Sequence, residues 1–577
     1  MIELIKEANI HHEDTEIVRN IQQGFFKMRG DWGVSGYGSL IEQSCVKKMA
    51  AENEILRPFD EALAWFQQTY KPFKDAALRE ELYNQTMSDV SKGRITGPLD
   101  FSRFRGERVI ISLRFPLKQG DSYRCCDDLT ASGLNAIGYS QEKVLFDGTD
   151  SFVDVWKVIS ECVDSGEDIL AFKEDIEGAY RFLPVRYEDR NCLLFGVHHP
   201  TSGKLLLFQH ESCCFGATAS VHSWHRFGRV LASIMRRLFS VPVIRWVDDF
   251  INAEGRATIH SAHDTFKEVL DLLGVPRKRI KSVPPTSRLD VLGTDTRLAR
   301  RSLKMIITQS RADSVKQLCS EALASGYLRS AVAGKLAGKV ASFCSATYGK
   351  VMRAFTNPLY QRQHAKGGEY VVDDRLRIVL TWLVGAMSSV EDLCRRVDLS
   401  VRRQRLVSFT DAEGTGSLCG ILVKLNVDGS IAWVKYWTYQ VDQSFEDALL
   451  DRETQIGIFE TVAICVQVAT FEREFKNSDV DLFVDSEVAK SVLIKGYSSR
   501  VDYCCLAGAF WRRMLRLSCS PFLWRVTSKS NISDAGSRGD CSLYQELGWE
   551  RVTAVCPKEV KTKCVDFGML EQVWSEL

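Results

Sequence analysis

An aspartate pair, Asp248-Asp249, stands between apolar residues in the run VIRWVDDFI. An acidic dipeptide flanked by two short apolar runs predicts a β-hairpin whose tip carries two carboxylates. A further acidic strand end lies 73 residues upstream, at Asp175 in FKEDIEGAYRFLPV, and supplies a third. Carboxylates held together repel one another unless a divalent cation neutralises them, and two such cations can align an in-line attack on phosphorus. An isolated Asp-Asp is most often a solvated turn. The apolar flanks and the second acidic strand set this pair apart.

A second set of acids follows in SFTDAEGTG, IFETVAI, LFVDSEVA and NISDAGSRG: Asp411, Glu460, Asp485 and Asp534, spaced by 49, 25 and 49 residues. Asp411 and Asp485 end apolar strands. Glu460 sits in a helix-like run, IGIFETVAICVQVATF, where one acid among apolar residues is costly unless it faces a site.

The chain has 577 residues, of which 45% are hydrophobic and 26% charged, as in ordinary globular proteins. No run of about 18 apolar residues predicts a membrane span, and the start, MIELIKEANIHHEDTE, has no secretory pattern. Cytoplasm and nucleus are both compatible with that reading. The net charge of +1 gives no global pull on a polyanion. Its distribution is uneven: Arg277 to Arg311 holds ten basic residues against two acidic, and Ala322 to Gly368 holds seven basic and no acidic residue. Side by side, the two stretches read as a track for a phosphate backbone. Eighteen cysteines without a C-x-x-C spacing read as reduced thiols. His210, Cys213, Cys214, His222 and His225 cluster, but their spacing fits no zinc module.

The patterning predicts an α+β chain: 1–90 an N-terminal extension, helical to about residue 75; 91–300 strands alternating with helices; 301–402 mostly helical; 403–545 a new strand-rich unit; 546–577 a tail. VWKVISECVDSG and SVHSWHRFGRVLASIMRRLF read as helices.

FKEDIEGAYRFLPV, HESCCFGATAS and RWVDDFI resemble, in order and spacing, motifs A, B and C of reverse transcriptases, closest to the tyrosine-recombinase (DIRS-like) retroelements. The second acid set resembles ribonuclease H. The resemblance covers roughly residues 90 to 545 and implies a right-hand polymerase of fingers, palm and thumb followed by an α/β ribonuclease H-like domain. It implies that Asp175, Asp248 and Asp249 in one site, and Asp411, Glu460, Asp485 and Asp534 in the other, are catalytic and hold two Mg²⁺ (or Mn²⁺) ions per site. By the same resemblance, Tyr180 is expected to take the place of a steric gate against a 2′-hydroxyl. The resemblance further implies that Phe215 and Gly216 pass close to the incoming base, that Arg124 and Lys118 grip the triphosphate, and that Lys281 gives a proton to pyrophosphate. Leu292-Gly293 falls at the primer grip, and Asn531 fits the last nuclease motif. The implied partners are an RNA template, a DNA primer, an RNA–DNA hybrid and deoxynucleoside triphosphates, with no membrane; the oligomeric state stays open.

Some features depart from the pattern. Trp246 stands where the family has Tyr or Phe, Cys213-Cys214 replace the proline before motif B, and no histidine matches the one that some ribonucleases H carry near the last Asp. No protease, zinc knuckle, integrase or recombinase segment is recognisable. Two other readings compete: a decayed or domesticated scaffold that binds RNA without catalysis, and an RNA-directed RNA polymerase. Seven retained acids count against the first, and Tyr180 with the second acid set against the other.

Overall fold

The computed structural model describes residues 1–577 except 11–13, 15, 24–25, 37–38, 42–48, 120–121, 345–346, 348–349, 366–369, 562–565 and 577. The chain divides into two compact units, Met1–Ser287 and Arg288–Leu577, and both mix helix and strand. Among the described residues, no helix is long and apolar enough to cross a membrane.

The first unit is built on two sheets. One is antiparallel, with strand order Ile244–Trp246, Asp249–Gly255, Ile169–Asp175, Val283–Thr286. Helices Thr149–Cys162 and Ile259–Leu272 pack on it, the first being the helix expected from VWKVISECVDSG. Period-2 alternation assigns its faces. Phe172 and Glu174 turn toward Ile259–Leu272, where Phe172 stacks on His263 (4.6 Å) and Glu174 meets His263 Nε2 at 2.7 Å. Lys173 and Asp175 therefore share the other face. Burying side chains such as Phe172, Phe250 and Phe266, each about 1.5–3 kcal/mol, fixes this register against a one-residue slip.

The other sheet runs Ile95–Thr96, Leu205–His210, Leu194–His198, Ile111–Gln119, Ser122–Asp127. The long helix Thr218–Phe239, expected from SVHSWHRFGRVLASIMRRLF, is almost wholly buried over its first 18 residues. The first 75 residues are less helical than their sequence pattern. They hold the short helices Ile2–Glu7, Ile17–Gln22 and Glu52–Ile55 and the longer Phe59–Thr69, but also strand pairs that tie Gly30–Asp31 to Gly138–Tyr139 and Ser39–Leu40 to Glu142–Lys143. Asp14 meets Arg226 through two bonds of 2.6 Å, so this segment is fastened to the long helix. Short polar segments gain little from helix formation alone and take the structure that long-range contacts offer.

In the second unit, Arg288–Val291, Thr294–Leu298, Ser302–Ile307 and Arg395–Asp398 form an antiparallel sheet. The first two strands, grouped with the upstream segment by their sequence pattern, belong here because their ladder partners do. The helices Gln309–Ser325, Ser330–Phe343 and Asp374–Ser388 share one core with a six-stranded sheet of order Ser520–Arg525, Ser478–Val484, Gln404–Ala412, Ser417–Leu425, Ile431–Gln440, Glu550–Arg551. That core is continuous through residue 403 and reaches Phe567, Met569 and Leu570, so residues 546–577 pack into the unit. Arg513 forms a buried ion pair with Glu559 that anchors them.

Candidate active sites

The hairpin expected from VIRWVDDFI forms with Trp246 opposite Asp249, leaving Val247 and Asp248 as its two-residue turn. Val247 takes φ of 53°, a conformation a β-branched residue enters only at a cost of about 1–3 kcal/mol. Its carbonyl is held by two donors, Trp224 Nε1 at 2.7 Å and an Arg245 guanidinium nitrogen at 3.1 Å. The strained turn puts Asp248 at the tip, while Asp249 lies in register with Asp175 on the neighbouring strand. The Asp248 carbonyl accepts from the Ile176 amide at 3.0 Å, which closes the two strand ends together.

The three carboxylates have different surroundings. Lys281 Nζ donates to Asp175 Oδ2 at 3.0 Å, and that bond raises the Lys281 pKa. Lys173 Nζ donates to Asp249 Oδ2 at 2.9 Å, leaving Asp249 Oδ1 buried with no hydrogen-bond partner. Burial, followed by the Asp175 charge, pushes the Asp248 carboxyl above its usual range. Burial likewise raises Asp249, against the pull of Lys173. A buried oxygen without a donor and charge held off by lysines fit a hard divalent cation held by Asp175 and Asp248, with Asp249 alongside.

Around this cluster, Tyr180, Phe215 and Arg124 come together. Tyr180 packs edge-on against Phe215 at 5.3 Å, and the Arg124 guanidinium lies over the Phe215 ring at 4.5 Å. Lys118 does not join them. It pairs in register with Tyr123, whereas Arg124 pairs with Leu117, so the two cations point to opposite faces of the ribbon. Gly216 has φ of 105°, and a Cβ there would stand 2.0 Å from the Asp127 carbonyl oxygen. Gly216→Ala is expected to destabilise the unit by about 1–3 kcal/mol, read as a lower urea midpoint; an unchanged midpoint would contradict this close approach.

Beneath the loop, Asp127, His210 and Cys214 bring ligand-type atoms within 4.8 Å of one another; Cys213, His222 and His225 are not part of that group. Arg181 donates to His210 Nδ1 at 2.7 Å, so the ring proton sits on Nε2, which faces Asp127 Oδ2 at 3.1 Å. Burial depresses the His210 pKa to about 4, keeping the ring neutral at pH 7. Arg114 and Arg181 already supply positive charge here, and the network anchors the strand under Phe215-Gly216.

In the second unit, Asp411 lies in strand Gln404–Ala412, Glu460 in helix Ile456–Thr470, and Asp485 just after strand Ser478–Val484. Their carboxylates approach within 4.8 Å of one another. Burial, reinforced by the neighbouring acids, drives Glu460 up to about 10 and Asp411 to about 6. Glu460 Oε1 accepts from the Ala412 amide at 3.3 Å, while Oε2 is buried without a hydrogen-bond partner. Asp411 is oriented by Asn531 Nδ2 (3.1 Å) and Ser537 Oγ (2.5 Å), and Asp485 by Ser528 Oγ (2.8 Å). This all-oxygen, charge-dense set also suits a divalent cation. Asp534 is outside that 4.8 Å group, although its charge helps to raise Asp411, and it pairs twice at 3.0 Å with Arg538 one turn on.

Lys173, Ser528, Ser537 and Arg538 escape the sequence reading. Only Lys173 carried a signal, two residues before Asp175 and so on the same strand face. Leu292-Gly293 forms a hairpin turn in the second unit, where Arg311 donates to the Gly293 carbonyl at 2.9 Å.

No protein-family model matches the chain, and no curated protein matches it. Among solved structures it is similar to a foamy viral protease-reverse transcriptase in complex with double-stranded DNA, at 11% identity and a TM-score of 0.45, over 91% of this chain and 81% of that one. It is also similar to a foamy viral protease-reverse transcriptase in complex with an RNA/DNA hybrid, at 11% identity and a TM-score of 0.44, over 92% of this chain and 63% of that one.

Proposed function

We propose that this chain is an RNA-directed DNA polymerase with ribonuclease H activity, of the kind encoded by retroelements and closest in its motifs to the DIRS-like group. The observation that carries the reading is the assembly of two separate acid sets, one on neighbouring strands and one on two strand ends and a helix. Asp175 and Asp249 stand in register beside the Asp248 turn, and Asp411, Glu460 and Asp485 converge within 4.8 Å. Lys173 and Lys281 offset only part of the charge in the first set, and like charges held together cost free energy until a cation neutralises them.

Divalent ions, Mg²⁺ or Mn²⁺, would supply charge neutralisation at the attacking and leaving oxygens. The chain's own residues do the rest. Asp175 and Asp248 would hold those ions at the primer end. Arg124, over the Phe215 ring, would present its guanidinium to a triphosphate. Lys281, kept protonated by Asp175, is placed to give a proton to the departing pyrophosphate. Tyr180, braced by Phe215, would sit beneath the sugar and exclude a 2′-hydroxyl. In the nuclease site, Asn531, Ser537 and Ser528 hold Asp411 and Asp485 in position toward the RNA strand of a hybrid.

The test is extension of a labelled DNA primer on an RNA template with deoxynucleotides and Mg²⁺. Extension is expected; a protein that binds the primer–template but adds no nucleotide would favour an RNA-binding scaffold. In the same assay, Tyr180→Ala is expected to relax discrimination against ribonucleotides by at least about tenfold. Unchanged discrimination would place the gate elsewhere.

A further inference from the structure

The first unit has a basic cavity that neither acid cluster uses. It is an open cleft of about 480 Å³, lined by Lys92, Arg94, Arg181 and Arg190 together with Glu211 and Ser212. The four cations come from three separate stretches of chain, so their convergence is a product of the tertiary fold.

The charge around this cavity does not balance. Its one lining carboxylate, Glu211, is engaged by Arg190 and by Thr96 Oγ1 at 2.7 Å. Behind the wall, Asp89 faces three guanidinium groups, those of Arg114 at 2.7 Å, Arg181 at 3.5 Å and Arg94 at 3.6 Å. Asp127 is shared by Arg114 and His210. Among the described residues that line or back the cavity, three carboxylates thus face five permanent cations, and none of them pairs with Lys92. Arg181 is only 6% exposed, and crowding a buried guanidinium among others is unfavourable unless an anion approaches. Burial and the Arg114 charge hold its pKa below the usual value.

The cavity also adjoins the turn after Asp175. A Cβ on Gly178 would stand 3.3 Å from an Arg94 guanidinium nitrogen, and Arg181 follows Tyr180 directly. An anion seated here would therefore lie against the segment that joins Asp175 to Tyr180.

We infer that this cavity is a second phosphate-binding site, separate from the Asp175–Asp248 cluster. Its ligand is a phosphate group, carried either by a free polyphosphate such as pyrophosphate or by the backbone of a nucleic-acid strand. Guanidinium groups suit that chemistry because their fork matches phosphate oxygens in pairs. The assignment rests on the charge surplus and the geometry, and holds whether or not the chain polymerises DNA.

The experiment is equilibrium binding to the full chain in EDTA, which removes metal-dependent binding at the acid clusters. The probes are pyrophosphate and, separately, a short single-stranded RNA titrated at several salt concentrations. Lys92→Ala/Arg94→Ala is compared with the parent, and Lys92→Glu, at an exposed position, guards against misfolding of the double variant. Loss of pyrophosphate affinity by at least about tenfold in the variants identifies a small-polyphosphate site. Unaltered pyrophosphate binding, with an RNA salt slope lowered by about 0.7 for each phosphate contact removed, identifies a backbone site. Parent-like binding of both probes by both variants would overturn the inference, as would a parent that binds neither. Asp248→Asn reports separately on the polymerase reading and leaves this site untouched.

Discussion

Asp248→Asn is expected to lower deoxynucleotide addition by about a thousandfold while cleavage of RNA in a hybrid continues. Asp248 occupies a turn that the chain holds at a conformational cost, with Val247 at φ of 53° and its carbonyl fixed by Trp224 and Arg245. Such strain persists where the surroundings over-determine it. The amide of the variant keeps the size of the side chain and removes the charge. Losing one anionic ligand of a divalent ion costs several kcal/mol of transition-state stabilisation, and about 4 kcal/mol corresponds to the stated factor. Primer extension and hybrid cleavage measured on the same preparation check this. Retained extension would remove Asp248 from the chemistry, and loss of both activities would point to a folding defect.

Glu460→Gln should do the reverse, abolishing hybrid cleavage while leaving primer extension, and it should also stabilise the metal-free protein above neutral pH. Glu460 is 4% exposed beside Asp411 and Asp485, and its pKa stands near 10 against about 4.5 for an ordinary glutamate. A carboxyl whose folded pKa is raised binds more protons in the native state than in the unfolded one. Its contribution to stability is therefore present below pH 4.5 and is lost progressively as pH rises toward 10. Asp411, raised to about 6, adds a smaller loss between pH 4 and 6. Glutamine stays neutral throughout and removes the larger of these penalties. A gain of even 1 kcal/mol moves Tm by about 1–2 °C in a unit of this size. Mg²⁺ should raise the Tm of the parent at pH 8 and raise that of the variant less. A variant no more stable than the parent in EDTA at pH 8 would show that Glu460 is not held in a repulsive cluster.

Much of this was legible in the chain before folding was considered. The apolar flanks of Asp248-Asp249 required a hairpin, and the alternation in FKED required Lys173 and Asp175 to share a face. An acid inside IGIFETVAICVQVATF had to face something polar, and it meets Asp411 and Asp485. Each of these follows from local periodicity and from the cost of burying charge, which are properties of a short stretch of sequence. The separation of Lys118 from Arg124 was not legible, because it depends on which residues pair across the ribbon.

By itself, then, the sequence determined which carboxylates exist, their order, and the strands and helix that carry them. Only the tertiary structure decided their company. Asp249 is drawn to Lys173 and Asp534 to Arg538, while Asp175 leans on Lys281. Tyr180, Phe215 and Arg124 meet from three distant segments, and four cations gather at a cleft with one carboxylate on its wall. The physical reason is range. Alternation and helical period act over a few residues, whereas ion pairs, ring contacts and register depend on distances set when strands far apart in the chain pack against one another.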